Sequence, residues 1–401
     1  MIRWLYAAVL ASNVASGLQT LVVSTLVYRL TGNALALGAI VSSEFIVSAL
    51  LQVYAGPLAD RYNPRAIMVT GDFLRGLVAL LAALLTMWTG SIAPVIASLL
   101  ISQVVKPFYR TANFALTPEI VSGDELVRAN STLSAFMQAG QLLGVAAAGV
   151  LLTWVGPQWA YFALGLLLCI SATSLLGIHL PRSVRPVVKK MGVINDWAEV
   201  FSLLRKFPSA SWHIILASGD LLLIALINVM LVPLNAALGG NNYHLALIDG
   251  AFAVGAISMA PINPRLIKIR GPRVTVALGL AGQVLALAIL LLARSPYHAA
   301  ACMLVIGVAN SLSVATFMST LQQRAAGNIK GRVGSLRYFS NSLILTPSVL
   351  VFSHVLANTS WQSFVLAALL TMLLYLAAFM TLSQPRLFGT GLLQRSLSST
   401  T

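Results

Sequence analysis

The sequence predicts an all-α membrane protein whose twelve transmembrane helices form two pseudo-symmetric six-helix bundles. Three observations lead to this fold class. The chain of 401 residues is 58% hydrophobic and 9% charged, whereas soluble domains carry about 25% charged residues. Its apolar runs are long enough to cross a bilayer as helices and too long for the strands of a barrel. A shift of 204 residues also places motifs of the first half on motifs of the second.

The twelve spans are apolar runs separated by glycine, proline or clusters of charge, and each is near the ~20 residues that cross a hydrocarbon core. They are 4–28, 35–57, 66–89, 92–115, 127–153, 158–180, 210–236, 244–263, 273–294, 298–321, 333–356 and 361–382. The longest connection is basic and lies between spans six and seven. We therefore predict an N-terminal bundle at 1–180, a cytoplasmic linker at 181–208, a C-terminal bundle at 209–385 and a cytoplasmic tail at 386–401.

An internal duplication explains this division. The shift that brings Gly56-Pro57 onto Ala260-Pro261 also brings Arg61 onto Arg265. At a second loop it brings Arg128 onto Arg332, and Ser131 onto Ser335. Chance matches in a sequence of biased composition are the competing explanation. Parallel six-helix halves with a binding site at their interface are typical of transporters.

Basic residues predict the orientation of the chain. The formal net charge is +15, and most of the Lys and Arg residues at span ends lie on one side, whereas the other side has only Arg29 and Arg294. The positive-inside rule then places both termini in the cytoplasm. We expect a multi-pass protein of a bacterial inner membrane, monomeric, with the lipid bilayer and not nucleic acid as its partner.

Polar stripes predict which helices line a central cavity. Spans one, two, four, five, seven, ten and eleven carry polar residues on one face, whereas spans three, six, nine and twelve are apolar nearly all round and suit a lipid-facing position. The stripes are alternatively hydrogen-bonding contacts between helices. The cavity candidates among the neutral side chains are Asn13, Gln138, Asn228, Asn310 and Asn341.

The loop between spans two and three carries a family resemblance. "GPLADRYNPR", with Gly56, Asp60, Arg61 and Arg65 at its key positions, resembles the signature loop of the major facilitator superfamily. The twelve spans, the repeat and the basic middle loop agree with that superfamily. "DFLRG", "TPEIVSGDELVRANS" and "KGRVGSL" are similar to its branch of proton-driven drug exporters, which includes macrolide efflux proteins and the enterobactin exporter.

The chain departs from the family pattern at three positions. Asn63 stands where the signature loop usually has glycine, and Pro64 where it has a basic residue. Asparagine tolerates the left-handed conformation, so we expect the tight turn to survive. Val145 replaces the proline expected in the antiporter motif of span five, although Gly140 and Gly144 still allow close helix approach. This last departure weakens the prediction of export.

The resemblance implies a cytoplasmic gate around the signature loop. Gly56 would approach span eleven, and Asp60 would lie at the N-terminus of that span, near Arg332, where the helix dipole favours a carboxylate. We expect Arg61 and Arg65 to pair with Asp72 and Arg75 to extend this network. A static turn with charges at the headgroups is the alternative. The gate candidates are Gly56, Asp60, Arg61, Arg65, Asp72, Arg75 and Arg332.

Charged residues inside the spans are candidates for proton coupling and substrate binding. A carboxylate that is buried in one state and hydrated in another can load and release protons. Glu44, Asp220 and Asp249 qualify by position, and we rank the first two ahead of Asp249. Lys106 and Arg110 lie one turn apart in span four and would attract an anionic group. The alternative is that Lys106 pairs with an acid from another helix.

These features predict a proton-coupled secondary transporter that works by alternating access. We expect it to export an amphipathic, anionic organic molecule such as a siderophore or a drug in exchange for protons. A proton-coupled importer on the same fold is the second hypothesis. A channel or a membrane enzyme fits less well, since the stripes belong to a two-halved bundle and no catalytic or metal-binding constellation recurs. We predict no cofactor, with the proton gradient as the energy source.

Overall fold

The computed structural model describes residues 1–31, 34–179, 219–325 and 330–383, and positions 195, 197–198, 201–202, 205, 212 and 214–217 between them. Side chains at 24, 28–31, 34–42, 219–220, 242, 324 and 357 lie outside the description. Bounds are defined for thirteen α-helices, and no β-strand occurs in these ranges. The helices are α1 (Ile2–Thr31), α2 (Ala34–Arg61), α3 (Pro64–Thr89), α4 (Ala93–Ile120), α5 (Asp124–Trp154), α6 (Pro157–Leu176), α7 (Gly219–Ala237), α8 (Asn242–Ser258), α9 (Asn263–Arg270), α10 (Pro272–Leu290), α11 (Pro296–Arg324), α12 (Lys330–Asn358) and α13 (Trp361–Leu382).

The predicted twelve-span, all-α fold is confirmed. In the part of the chain that the structure describes, nine helices are long and apolar enough to cross a membrane, namely α1, α3, α5, α6, α7 and α10 to α13. Helices α8 and α9 meet at a bend of 54° and together form a tenth candidate. Helices α2 and α4, of 28 residues each, complete the twelve predicted spans.

Proline and glycine set the helix ends. Helix α3 begins at Pro64, and the side chain of Asn63 caps it by accepting a hydrogen bond from the backbone N–H of Arg65 at 3.0 Å. The expected tight turn between α2 and α3 is present, but Asn63 has φ −65° and does not use the left-handed conformation that we invoked for it. An N-cap needs a side-chain oxygen, which asparagine has and glycine lacks. Gly90 ends α3 in the left-handed region, at φ 65°.

The first of two compact units comprises Met1–Val121, Phe136–Asp196 and Asn328–Phe339. Its apolar core lies among α1, α3, α4 and α6 and includes Leu18, Ala79, Leu99 and Tyr161. Helices α1 and α5 cross at glycines: a Cβ added at Gly144 would lie 2.8 Å from the backbone nitrogen of Leu18 and 3.0 Å from the Cα of Gly17. The predicted glycine contact of span five is therefore made with α1.

The second unit comprises Ser122–Ala135, Trp197–Gly327 and Ser340–Thr401. Helix α11 is its central element. A Cβ at Gly307 of α11 would lie 3.0 Å from the backbone nitrogen of Ala256 in α8. Phe317 of α11 packs edge-on against Phe379 of α13, with 5.8 Å between the ring centroids. The amide of Gln283 on α10 donates a hydrogen bond to Ser313 of α11 at 3.0 Å.

Two segments pack in a different unit from the one to which the predicted domain boundaries assign them. Residues 122–135, at the start of α5, pack in the second unit, and residues 328–339, at the start of α12, pack in the first. The predicted repeat shift of 204 residues carries the segment 122–135 onto 326–339. The exchange of segments therefore obeys the same internal symmetry as the sequence motifs.

Helices α3 and α13 each present an apolar outer face. Leu77, Leu81 and Leu84 of α3 are exposed, whereas Ala79 and Ala83 of the same helix are buried. On α13, Leu366 and Leu374 are exposed. Such exposed rows of leucine fit a lipid environment, as the apolar composition of spans three and twelve predicts.

Candidate functional site

Two cations and one carboxylate form a cluster on α2 and α4, which we call the cation cluster (Glu44, Lys106 and Arg110). The Nζ of Lys106 lies 3.3 Å from Oε2 of Glu44, and Nη2 of Arg110 lies 3.0 Å from Oε1. The carboxylate thus bridges both cations, and the three side chains carry a formal charge of +1. All three lie inside the predicted spans, where charge is costly and usually has a function.

Neutral hydrogen bonds hold α2 and α4 together on either side of the cation cluster. Ser43 donates to Oε1 of Gln103 at 3.0 Å, and Thr111 donates to Oε1 of Gln52 at 2.9 Å. These contacts lie between helices, as the alternative interpretation of the polar stripes expects.

Asp72 and Arg75 form a separate buried pair among α1, α3 and α6. Nη1 of Arg75 lies 2.8 Å from Oδ1 of Asp72, and the side chains are 2% and 0% exposed. The hydroxyl of Ser171 on α6 donates to Oδ2 of Asp72 at 2.6 Å, and that of Ser12 on α1 donates to Oδ1 at 3.3 Å. The carboxylate is therefore fully engaged within the first unit.

The predicted pairing of Arg65 with Asp72 is wrong. Nε of Arg65 donates to the carbonyl of Leu175 at 3.0 Å and Nη2 to that of Leu176 at 2.6 Å, so this side chain caps the C-terminus of α6. Positive charge at a helix C-terminus is favourable. Asp72 instead pairs with Arg75, one turn along α3. Arg61 lies at the end of α2 and is half-buried.

The second unit contains a matching cap. Nε of Arg273, at the start of α10, donates to the hydroxyl of Ser383 at 3.2 Å, and Nη2 donates to the carbonyl of Met380 at 3.1 Å. In both units, an arginine at the start of the third long helix thus binds the end of the last one. Sequence reasoning missed Arg273 in this role.

The C-terminal turns of α2 meet the N-terminus of α12 in the first unit, and we call this contact the α2–α12 joint (Gly56, Asp60, Gly331, Arg332 and Ser335). Oδ2 of Asp60 lies 2.9 Å from Nε of Arg332 and accepts the backbone N–H of Arg332 at 3.1 Å; Oδ1 accepts the backbone N–H of Gly331. Both charged side chains are nearly inaccessible, at 3% and 2% exposed. The predicted position of Asp60, at the start of span eleven beside Arg332, is the one observed.

Glycine makes the α2–α12 joint possible. A Cβ at Gly56 would lie 2.9 Å from the Cα of Arg332 and 2.8 Å from the Cβ of Ser335, and one at Gly331 would lie 2.6 Å from the carbonyl oxygen of Gly56. The hydroxyl of Ser335 donates to the carbonyl oxygen of Gln52. Sequence reasoning found Gly56 and Arg332 but missed Gly331, although "KGR" is the signal that would have found it.

The second unit has an uncharged counterpart of this joint. Ser131 of α5, which the repeat shift pairs with Ser335, accepts a hydrogen bond from Nδ2 of Asn263 at 3.2 Å. The amide of the neighbouring Asn130 donates to Gln322 at 2.6 Å and to Ser319 at 3.1 Å, both on α11. The two repeat-related contacts therefore use different chemistry, ionic in the first unit and amide–hydroxyl in the second.

The remaining acids differ in their surroundings. Asp249 is half-buried on α8 and has no hydrogen bond or ion pair to any side chain that the structure describes. The repeat shift places Lys106 on Asn310 and Arg110 on Val314, so Asp249, one position beyond the residue equivalent to Glu44, lies in a half without the matching cations. Asp220 has its backbone in α7, but its side chain lies outside the described residues, as does His213.

The neutral cavity candidates differ in their surroundings. The amide of Asn13 donates to the backbone carbonyl of Val9 at 2.7 Å, Gln138 is half-buried, and Asn228 is exposed. Asn310 is 4% exposed. Asn341 is also 4% exposed, and neither of its amide atoms has a hydrogen-bonding partner among the described residues, which is unusual for a buried amide.

Within the described part of the chain, no group of three His, Cys, Asp or Glu side chains could hold a metal ion. The ion pairs described above are Asp72 with Arg75, Asp60 with Arg332 and the cation cluster, and of these three the cation cluster carries a net charge. Such a cluster can attract an anion and hold it, but it lacks a positioned nucleophile or acid–base pair.

Comparison with known proteins agrees with this architecture. The Major Facilitator Superfamily profile matches residues 5–349. An uncharacterised MFS-type transporter, YceJ, from Bacillus subtilis (strain 168) is 25% identical over 250 residues, which are 61% of this chain and 58% of that protein. The lysophospholipid transporter LplT of Serratia proteamaculans (strain 568) is 25% identical over 291 residues, 70% of this chain and 69% of its own.

The fold is also found among solved structures. The human organic anion transporter MFSD10 (TETRAN) superimposes with a TM-score of 0.77 and 17% sequence identity, covering 94% of this chain and 98% of the other. At this level of identity the likeness concerns the fold alone.

Proposed function

The chain belongs to the major facilitator superfamily, and from this premise we propose that it is a proton-coupled secondary transporter of amphipathic organic anions. Membership makes it a multi-pass membrane transporter of small organic molecules and not an enzyme. The predicted superfamily is thereby confirmed. The narrower likeness to drug and siderophore exporters stays a prediction.

The cation cluster is the observation that carries the proposal. Lys106 and Arg110 share one carboxylate, so a positive charge remains uncompensated inside the predicted spans 35–57 and 92–115, which are otherwise apolar or neutral. An anionic substrate group would supply the missing charge. The guanidinium of Arg110 favours planar carboxylate or phosphate oxygens, which it binds through several N–H donors.

The substrate class follows from charge and surroundings. A small hydrophilic anion would make no use of the mostly apolar composition of the two spans that carry the cluster, whereas an amphipathic anion matches both features. Siderophores and acidic drugs belong to this class. The similarity to a lysophospholipid transporter supports a third member, a single-chain phospholipid with an anionic phosphate.

Asp249 is the carboxylate that we propose carries the proton. Glu44, which we ranked ahead of it, is bound to two cations and is held in its charged form. Asp249 has no such partner among the described side chains, so a proton would neutralise it within the membrane at little expense. If this proton moves inward while the substrate moves outward, the protein is an exporter. If the proton and the substrate move inward together, it is the importer of the second hypothesis.

The α2–α12 joint is proposed as the gate on the cytoplasmic side, with both termini on that side. Its ion pair is buried and directional, so it can hold one arrangement and must break as a unit in another. The orientation rests on the positive-inside distribution of Lys and Arg. A bacterial inner membrane fits the bacterial relatives.

Transport in everted vesicles tests the proposal. A proton-loaded lumen should become alkaline when lysophosphatidylglycerol or an acidic drug is added, and Asp249→Asn should abolish this response while substrate binding persists. Lys106→Ala should weaken the binding of anionic probes at least tenfold and leave neutral amphiphiles unaffected. Ser43→Ala, which removes one α2–α4 hydrogen bond but no charge, is the control.

Two results would contradict the proposal. Unchanged proton movement in Asp249→Asn would remove the assignment of the proton carrier. Equal loss of anionic and neutral ligands in Lys106→Ala would show a structural defect and not an anion subsite.

A further inference from the structure

The cation cluster contains its own anion, and this internal anion occupies the position that a substrate group would need. Each oxygen of Glu44 is bound to a different cation, Oε2 to Lys106 and Oε1 to Arg110. A substrate carboxylate or phosphate that engaged both cations would use the same bridging geometry. It would compete with Glu44 for their N–H donors.

The formal charge of the cluster is +1, and the described neighbours do not change it. Asp72 and Arg75, the buried ion pair of α3, lie 2.8 Å apart and together carry no net charge. The polar side chains around the cluster, Ser43 and Gln103, are neutral and bonded to each other. One unit of positive charge is therefore available to a ligand.

The three side chains of the cation cluster differ in how much of their surface is exposed. The side chain of Arg110 is 42% exposed, that of Glu44 27% and that of Lys106 12%. Glu44 engages Arg110 through Nη2, which leaves further donors of the guanidinium for a second anion. An incoming anion therefore meets Arg110 first, and Lys106 becomes available only if Glu44 moves.

We propose that Glu44 is a replaceable counter-ion that sets the charge selectivity of this subsite, so that the transporter takes singly charged amphipathic anions in preference to doubly charged ones. The inference rests on the proposed anion subsite and specifies its substrate. A monoanion brings the cluster to neutrality with Glu44 still charged. A dianion would leave an uncompensated negative charge in the apolar interior, where it is strongly disfavoured.

Removal of the internal anion should change this preference. In Glu44→Gln the cluster carries +2, with an amide of similar shape in place of the carboxylate. Both anions should then bind more tightly, because no internal competitor remains. The dianion should gain more than the monoanion, because two cations are now uncompensated.

The experiment compares three single-chain lipids with the same acyl chain. Lysophosphatidylglycerol carries one negative charge, lysophosphatidic acid carries two at pH 8.5, and lysophosphatidylcholine is zwitterionic. Their apparent affinities for the purified full-length protein are measured by ligand-dependent thermal stabilisation at pH 8.5. The ratio of affinities is then compared between variants, since partitioning of each probe into detergent cancels in that comparison.

We expect the wild-type protein to prefer lysophosphatidylglycerol, and Glu44→Gln to shift the dianion-to-monoanion affinity ratio at least tenfold toward the dianion, which corresponds to about 1.4 kcal/mol. Glu44→Asp keeps the charge and should keep the wild-type preference. Ser43→Ala is the matched neutral control and should leave the ratio unchanged. Lysophosphatidylcholine should respond to none of these changes.

The outcomes separate this inference from the proposed function. If Lys106→Ala and Arg110→Ala abolish anion binding but Glu44→Gln leaves the affinity ratio as in the wild type, the counter-ion role is overturned and the anion subsite stands. An equal shift in Ser43→Ala would also overturn it, because the effect would then be structural. If neither cation variant affects anion binding, the proposed subsite itself fails, and the inference with it.

Discussion

The carboxylate of Asp60 has more hydrogen-bonding partners than one ion pair would give it. It accepts two backbone N–H groups at the start of α12 as well as the guanidinium of Arg332. The first N–H groups of a helix have no partners within it, and the helix dipole is positive there. Asp60 thus acts as an N-terminal cap supplied by another helix, and the ion pair is one part of that cap.

Loss of one partner from this contact should be more harmful than loss of both. Asp60→Asn leaves Arg332 buried without a counter-ion, which costs about 3–5 kcal/mol in comparable sites. The double variant Asp60→Asn/Arg332→Met should be more stable than the sum of the single effects predicts. Thermal unfolding of the purified variants, followed by intrinsic fluorescence, measures this coupling.

Arg65→Met supplies the control for that cycle. Arg65 lies five residues further on, in the first turn of α3, but it binds the end of α6, so its effect should add to that of Asp60→Asn. Additive behaviour of Asp60 with Arg332 would contradict a coupled pair.

Among single residues, the sequence predicted the contact of Asp60 at a helix end correctly but did not predict the buried contacts of Asp72. The position of Asp60 follows from a loop motif and a helix dipole, both visible locally. Arg65 and Asp72 are seven residues apart, about 10 Å along the helix, too far for a direct bond, whereas Arg75 is one turn away. Ser171, which completes the site of Asp72, lies 99 residues further on, and no local pattern indicates it.

Two glycines of α5 differ in whether they contact another helix. On α5, Gly144 lies against the backbone of α1, whereas a Cβ at Gly149 of the same helix would meet nothing within 4 Å. Both glycines carry the same intrinsic penalty within a helix, about 0.5–1 kcal/mol relative to alanine. Only packing distinguishes them.

Gly144→Ala should therefore destabilise the protein by about 1–3 kcal/mol through overpacking, whereas Gly149→Ala should be neutral or slightly stabilising. The two substitutions add the same methyl group to the same helix, so each is the control for the other. Unfolding midpoints in detergent provide the measurement. Equal effects would show that α1 and α5 do not require close contact.

Helix boundaries were predicted well for spans three and twelve. Span three was predicted to begin at 66 and α3 begins at Pro64; span twelve was predicted at 361–382, and α13 is Trp361–Leu382. Span eight differs, since α8 ends at Ser258 and α9 follows after a 54° bend. Pro261 and Pro264 lie at that break, and proline cannot continue the hydrogen bonding of a helix interior. The hydropathy pattern alone did not reveal the bend.

For the whole molecule, the exchanged segments are the main consequence of the duplication. Residues 328–339 complete the first unit and residues 122–135 complete the second. The shift of 204 residues was visible in the sequence, but the exchange of segments could not be predicted from it. A sequence repeat does not indicate which of the two copies a segment packs with. The different chemistry of the two related contacts, ionic at Asp60 and amide-based at Asn263, also could not be predicted.

A chain divided within the predicted linker 181–208 should test this organisation. Fragments expressed together should assemble, copurify and transport, because each carries a segment that the other unit requires. Gly331→Leu in the second fragment should greatly reduce copurification, since even a Cβ there would lie 2.6 Å from the carbonyl oxygen of Gly56. Gly271→Leu is unsuitable as a control because φ is positive there; Gly250→Leu, with nothing within 4 Å, is suitable. Copurification unaffected by Gly331→Leu would argue against the exchange.

The two arginine caps have a consequence for biosynthesis. The carbonyl that Arg65 binds at the end of α6 is synthesised 110 residues after Arg65, and the carbonyl that Arg273 binds at the end of α13 is synthesised 107 residues after Arg273. In each half, the last helix can therefore bind its arginine as soon as that helix leaves the ribosome. The first unit nevertheless lacks residues 328–339 until most of the second has been translated. Asp60 therefore remains without its partner through much of synthesis, and the nascent protein completes its first half only while it is finishing the second.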